Sequence, residues 1–459
     1  AETSPQNSGT GPRHIYDEAG AVLTSTVPAG STLSVRDTTG ADIAVDFVQL
    51  ELATPVANPD PTHLVTVSGS DQNAIQTAIN TANGSSTYTG VYIPAGDYAV
   101  SGKFNLGTKA LQIVGAGPWF TRLVAPQGQE NTDVGFTPTG AAATGSQFRS
   151  FAIVGNYTNR QDGSGQAFPL TNVSNIVIDN VWVTHMVVMV WGQNVDSSTF
   201  SNDRIDDTFA DGITLANDSQ GNTITNSVAR ATGDDGFALF NAQDVHAGTV
   251  ANNLEQNLTA TLTWRASGFA VYGGSGNTFR NLYAADQLTY PGLTVSSINF
   301  GISFVGFSGT TTIDNVSIVR SGGHFWGQQV FPALWLYSGD GAFTGIRISN
   351  VDISDPTYDG IMMQTKYLSA SQPTNPIADT TLTNVTVDKA NEPRADKSNV
   401  DATATFSLTG RVGNAVWCNP APESGQGPAI GAVTFTGLTM TNNSHDIVNT
   451  CPGFTITRN

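Results

Sequence analysis

The sequence predicts an all-β fold: a right-handed parallel β-helix with a short N-terminal capping helix, preceded by a small β-sandwich-like unit. Three observations point there. The 459 residues include 48 Gly and 21 Pro, and only 12 % are charged. Thr, Asn, Ser and Gly must therefore cover much of the surface, many turns are needed, and no long Glu/Lys-rich helix pattern is visible. A single segment carries a convincing helical stripe. Finally, β-rich runs that share one Asn recur along the chain.

The elements follow in order. Residues 13–54 alternate apolar and polar positions between Gly, Pro and Asp turns, which reads as a small β-sandwich-like unit. Pro-rich residues 53–63 link it to the rest, so the expected domains are 1–63 and 64–459. Ser70 to Ala82 follows: Ser70 can cap a helix, Asp71 suits its first turn, and Ala74, Ile75, Ala78 and Ile79 make one apolar stripe. Such a helix would cover the open first coil of a stack of short strands. GVYIPAGDYAV, KALQIVGAG and TRLVAP supply the first of those strands.

The repeat is carried by NIVIDNVWV, STFSNDRI, NTITNSVA, NTFRNLYA, TTIDNVSIV, IRISNVDI and TLTNVTV, with Asn180, Asn202, Asn226, Asn281, Asn315, Asn350 and Asn384 in the shared place. The first two intervals are nearly equal. The last three are longer and agree to within a single position. The interval from Asn226 to Asn281 is more than twice either of the first two and hides an extra coil. Asn tolerates left-handed backbone and can bond to its copy in the next coil. Asn-rich turns of an ordinary sandwich are the competing explanation.

Charge excludes several partners. A net charge of −18 and a pI near 4.4 suit neither nucleic acid nor an acidic polymer such as pectin, and favour a neutral substrate. No apolar run reaches the ~20 residues of a membrane span. The polar start AETSPQNSG suits a mature exported protein or a trimmed chain, and a secreted monomer is expected. Cys418 and Cys451 read as one disulfide of an exported protein, or else as two separate buried thiols. N-x-S/T sequons occur at Asn156, Asn172, Asn257 and Asn384.

The register places the chemistry. Nine residues after Asn202, Asn226, Asn315 and Asn350 stand Asp211, Asp235, His324 and Asp359. DGITL at Asp211 and DGFAL at Asp235 share a pattern one coil apart. Stacked coils sit roughly 4.8 Å apart, so Asp211 and Asp235 should be neighbours with Asp234 alongside. Clustered carboxylates raise at least one pKa. Glycoside hydrolysis needs that pairing: a protonated carboxyl for the leaving oxygen and an ionised one to activate water or attack the sugar. A diagonal or splayed pair can reach the separation of inverting enzymes. Calcium binding is the structural alternative for the trio, and Asp206 and Asp207 read as solvated turn residues.

FADGI (Phe209 to Ile213), TGDDGF (Thr232 to Phe237) and their spacing resemble the family-87 glycoside hydrolases, the α-1,3-glucanases (mutanases) and mycodextranases. The resemblance extends to the small β unit before a capped β-helix. It implies endo-hydrolysis of α-1,3-glucosidic bonds with inversion, Asp235 as general acid, and Asp211 and Asp234 holding the water. Polygalacturonases of family 28 share the GDD pattern, but the comparable coil here, RASGFAVYGGSGNTF, has no His, and IRIS lacks their Lys. Family-49 dextranases and isopullulanases rank second. A non-catalytic carbohydrate-binding β-helix and a polysaccharide lyase are further alternatives.

Candidate sugar-binding positions are His185, Trp191, Trp264, Arg265, His324, Trp326 and Asp359. Tryptophans offer flat faces to sugars, though each is as readily core, and His185 can equally be a satisfied core histidine. There is no zinc spacing, HExxH or phosphate loop. No metal ligand set and no cofactor is expected, although a structural Ca²⁺ can be accommodated.

Overall fold

The computed structural model describes residues 2–3, 14–15, 17–36, 38, 40, 45, 47–325, 329–369, 371–391, 412–420 and 425–459. The expected right-handed parallel β-helix is its architecture. Two long sheets run the length of the stack, and successive coils pair in parallel, with the handedness usual for crossovers between parallel strands. One sheet carries the asparagines. The other, here the acidic face, is built from Gln166–Ser174, Val188–Asp196, Ile213–Ala216, Phe237–Phe240, Phe269–Tyr272, Leu293–Ser296, Leu334–Ser338, Ile361–Ser369, Asn414–Cys418 and His445–Asn449.

Alternation decides which side chains point inward. Ile213, Leu215, Phe237, Leu239, Phe269 and Val271 fill the interior and are fully buried. Phe237 stacks on Phe269 at 5.7 Å between ring centres. Each such side chain contributes roughly 1.5–3 kcal/mol on burial. The intervening Thr214, Ala238 and Ala270 face the other side of the strand and are buried too, the alanines in a cluster with Phe240 and Tyr272.

The helix spans Gln72–Asn83 and buries Ile75, Ala78, Ile79 and Ala82 against the first coils. Its cap is Asp71 rather than Ser70: the Asp71 carboxylate accepts the Ala74 N–H at 2.9 Å. A carboxylate is the better acceptor beside the positive end of a helix. Among the described residues of 1–63, strand pairing before the first coil is confined to Glu2–Thr3 with His14–Ile15, and residues 17–36 are exposed extended chain. Short alternating runs between Pro and Gly suit an arm laid on a larger surface as well as a sandwich. Polar contacts hold that arm: Glu18 to Arg230 at 3.1 Å, Glu51 to Arg204 at 2.9 Å, and the Phe47 ring beneath Arg230. Asp207 is not a solvated turn residue, because the arm covers it. It is buried, and burial with the adjoining Asp17 pushes its carboxyl up to about 9. Cys418 and Cys451 form the expected disulfide.

The asparagine repeat bonds as a ladder from Asn226 to Asn315 and again between Asn350 and Asn384. Asn180, Asn202, Asn226, Asn281, Asn315, Asn350 and Asn384 all adopt left-handed backbone, with φ between 53° and 58°. The long gap is filled by Asn257, which donates to Asn226 at 3.0 Å and accepts from Asn281 at 2.9 Å. A second column, Asn222–Asn253–Asn277, is buried and bonded in the same manner. Among the described residues, no helix is long and apolar enough to cross a membrane.

Candidate active site

Strand pairing brings the aspartates together. Ile213 pairs with Phe237 and Phe237 with Phe269, so Asp211, Asp235 and Ser267 occupy one column, two residues before each strand. The Gly after each Asp has a steric reason. A Cβ on Gly212 would stand 2.3 Å from the Gly236 carbonyl oxygen, and one on Gly236 would stand 2.6 Å from that of Gly268. Without side chains the turns close up, and the Gly212 N–H bonds the Asp235 carbonyl at 3.0 Å. The D-G signature therefore sets coil spacing as much as chemistry.

One carboxylate oxygen from each of Asp211, Asp234 and Asp235 lies within 4.8 Å of the others. Their surroundings differ. Asp235 is 4 % exposed. Its Oδ1 accepts the Ser267 N–H and its Oδ2 the Tyr272 hydroxyl, both at 2.8 Å. Burial, then Asp234 and Asp211, push its carboxyl well above the usual range, and those two hydrogen bonds only partly offset the shift. Asp211 accepts the Thr214 hydroxyl at 2.9 Å. Burial and Asp234 push it up to about 7, against the opposing pull of Arg160 and Thr214. Asp234 is bound by Arg160 and lies 3.7 Å from Arg265. Burial disfavours the Arg160 charge, but Asp234 and Asp211 outweigh it and raise the guanidinium further. The cluster thus sets a buried acid next to a carboxylate paired with guanidinium.

The other predicted positions divide. Arg265 reaches the cluster through Asp234. Trp191 is half-buried on the outer side of its strand, paired with Thr214. Trp264 is no sugar platform. It is 1 % exposed and supports the GDD turn: a Cβ on Gly233 would fall 2.3 Å from its ring. Asp359 is fully buried and accepts the backbone and side-chain N–H groups of Asn414 at 2.9 and 2.8 Å, so it holds a coil rather than a sugar. His185 faces the N-terminal arm, with Nε2 3.5 Å from Asp17. His324 is displaced from the aspartate column, because Gly323–Phe325 and Gln329–Phe331 form an antiparallel hairpin inserted before the strand. Leu293 pairs with Leu334, which puts Pro332 in that column. Trp326 lies outside the described residues.

Sequence reasoning missed Arg160, Tyr272 and Thr214. Tyr272 was within reach, since laying FALF over FAVY puts it beside Phe240. Arg160 sits in an upstream loop with no repeat register. Around Tyr272 an aromatic group forms: Phe300, 57 % exposed, packs edge-on to Tyr272 at 5.0 Å and to Phe240 at 5.6 Å. A cavity of about 610 Å³ lies elsewhere, lined by Glu51, Trp119, Trp182 and Arg204 among others. It shares no residue with the acidic cluster.

Known proteins share this fold. The family described as α-1,3-glucanase catalytic domain D2 matches residues 64–459, and the D1 family matches residues 1–53. The chain is similar to a GH87 α-1,3-glucanase catalytic domain solved with nigerose, at 41 % identity over 89 % of this chain and 70 % of that one, with a TM-score of 0.78. An aspartate-to-alanine variant of a GH87 α-1,3-glucanase catalytic domain, solved with tetrasaccharides, matches at the same identity and coverage with a TM-score of 0.80. The fold extends to the A-module of an Azotobacter vinelandii mannuronan C-5 epimerase, at 14 % identity over 86 % of this chain and 98 % of that one, with a TM-score of 0.52. No curated protein matches the chain.

Proposed function

The chain belongs to the α-1,3-glucanase catalytic-domain family, the GH87 glycoside hydrolases, and on that premise we propose that it is an exported endo-hydrolase of α-1,3-glucosidic bonds in α-1,3-glucan or nigeran, acting with inversion. The observation that carries the reading is one buried, proton-retaining carboxyl, Asp235, beside a carboxylate paired with Arg160. Asp235 gives its proton to the glycosidic oxygen. Asp211 and Asp234 accept the two hydrogens of a water, which attacks the anomeric carbon and leaves a proton on the pair. Arg160 and Arg265 set their guanidinium groups against Asp234. Tyr272 and the Ser267 N–H orient Asp235, and Phe300 and Trp191 offer ring faces to the sugars. The chemistry needs no cofactor.

Spacing supports the assignment. Aspartates were changed to alanine at three positions in a related GH87 domain solved with nigerose or tetrasaccharides. Two of the three are adjacent. The other precedes them by the same interval that separates Asp211 from the Asp234–Asp235 pair. The Cys418–Cys451 disulfide accords with export.

The competing reading is retention through a covalent intermediate: one oxygen from each of the three carboxyls lies within 4.8 Å of the others, a close cluster, and retaining pairs stand nearer together than inverting ones. Products from α-1,3-glucan, nigeran, dextran and pullulan, with the anomer read as it forms, decide both substrate and stereochemistry. Immediate β-anomer from an α-1,3-linked substrate supports inversion; immediate α-anomer replaces it with retention.

A further inference from the structure

The geometry points to a divalent-cation site of zinc type at the junction between the N-terminal arm and the β-helix, formed by Asp17, His185 and Asp207. A carboxylate oxygen of each Asp and a ring nitrogen of the His all lie within 4.8 Å of one another. The three come from separate places: Asp17 from the arm, His185 and Asp207 from corresponding turns of two successive coils. None belongs to the acidic trio.

Three features go beyond clustering. Asp207 is 4 % exposed; its Oδ2 accepts a long bond from the Glu18 N–H, 3.4 Å, its carboxyl lies against that of Asp17, and its Oδ1 is buried with no further hydrogen-bond partner. An acceptor left buried beside a second carboxylate is costly, and a cation removes that cost. His185 is already oriented for the purpose. Its Nδ1 lies 3.0 Å from the Thr184 hydroxyl, and its Nε2 lies 3.5 Å from Asp17. A second hydrogen-bond partner that fixes the ring is the usual support of a metal-binding imidazole. Carboxyl groups also crowd this junction: Asp17, Glu18, Asp206 and Asp207 stand around Arg204 and Arg230, and those guanidiniums are engaged by Glu51 and Glu18.

Ligand type selects the ion. Magnesium and calcium prefer all-oxygen shells, whereas one imidazole nitrogen with two carboxylates suits zinc or a neighbouring transition ion, with water completing the set. Bound there, it would pin the arm across two coils.

The test is metal retention, independent of hydrolysis. Chelator-stripped protein is loaded with Zn²⁺ or Co²⁺, desalted, and assayed by elemental analysis; visible absorption of the Co²⁺ form reports the ligand set. The expected result is one ion per chain and a higher thermal midpoint. Asp17→Ala and His185→Ala should lower affinity roughly tenfold or more, while Asp211→Ala should leave retention intact. Asp17 is half-exposed on the arm, so its variant leaves the β-helix folded. The site is overturned if wild type retains no ion, if neither variant changes retention, or if Asp211→Ala alone abolishes it.

Discussion

The asparagine ladder and the Asp211–Asp235 pair both stack four-atom polar side chains in successive coils at the same rise, yet they behave as opposites. An amide is donor and acceptor at once. Asn226, Asn257, Asn281 and Asn315 therefore satisfy one another along the stack. An ionised carboxylate only accepts. Asp211 and Asp235 cannot bond to each other without a proton, so they draw donors from elsewhere: the Thr214 and Tyr272 hydroxyls and the Ser267 N–H. One geometry gives an adhesive when each rung carries its own donor and a reagent when it does not.

Supplying the missing donor at the acidic column should have the largest effect. Asp235→Asn keeps the shape and removes the transferable proton, so turnover should fall roughly 10²–10⁴-fold while the fold persists. Reducing-sugar release set beside the thermal midpoint checks this, and turnover near wild type would end the acid assignment. Arg160→Met is next. Removing the cation withdraws an influence that lowers Asp211, so its carboxyl should titrate above the present value of about 7. With Asp211 needed as an ionised base, the acidic limb of the kcat/KM profile should move to higher pH and turnover should drop about 10–100-fold. An unmoved limb would remove Arg160 from the mechanism. Stability carries the same sign. A folded pKa raised above the unfolded one contributes stability that is complete below about pH 4 and disappears as pH rises towards 7, and Asp211→Asn should flatten that decline.

Much of this contrast was legible in the sequence, because period and register are local properties. Asn in left-handed turns marks the coils from Asn180 to Asn384, and counting from it placed Asp235 over Asp211. The count failed at His324, where an inserted hairpin moves the strand start without disturbing the Asn. Tryptophan and aspartate identities also misled. Trp264 fills the space left by Gly233, and Asp359 serves Asn414, and nothing local separates an outward polar position from one sealed by the next coil. Arg160 was invisible because a loop residue reaches Asp234 across three-dimensional space, with no period to betray it.

Glu255 is an acid with still fewer partners, and it sharpens the contrast. It points into the interior between Ile224 and Phe279, fully buried, with both carboxyl oxygens lacking a hydrogen-bond partner. Burial, and then Asp235, push it well above the ordinary range. A carboxyl here is held neutral and gains nothing for the fold. Glu255→Leu should stabilise the protein by about 1–3 kcal/mol, the cost of an unpaired buried polar group, as a rise in thermal midpoint. Because the folded pKa is raised, the gain should be smallest below about pH 4.5 and grow as pH rises. A midpoint lowered at pH 7 would mean that Glu255 has a donor after all.

The smallest effect tests the comparison most directly, by turning a rung of the ladder into the other kind of residue. Asn257→Asp keeps a side chain that tolerates left-handed backbone. It still accepts from Asn281, but the donation to Asn226 is lost and two oxygens face each other. The surroundings can accommodate a carboxylate, since Asp314 already accepts from Asn350 at 2.7 Å. At neutral pH the cost should be about 0.5–1.5 kcal/mol, the net worth of one hydrogen bond. Below about pH 4 the new carboxyl acquires a proton and can donate again, so the deficit should close on acidification. Asn257→Ala, which adds backbone strain and has no titrating group, should be destabilised at both pH values. If the two variants respond alike to pH, donor supply is not what separates the two stacks.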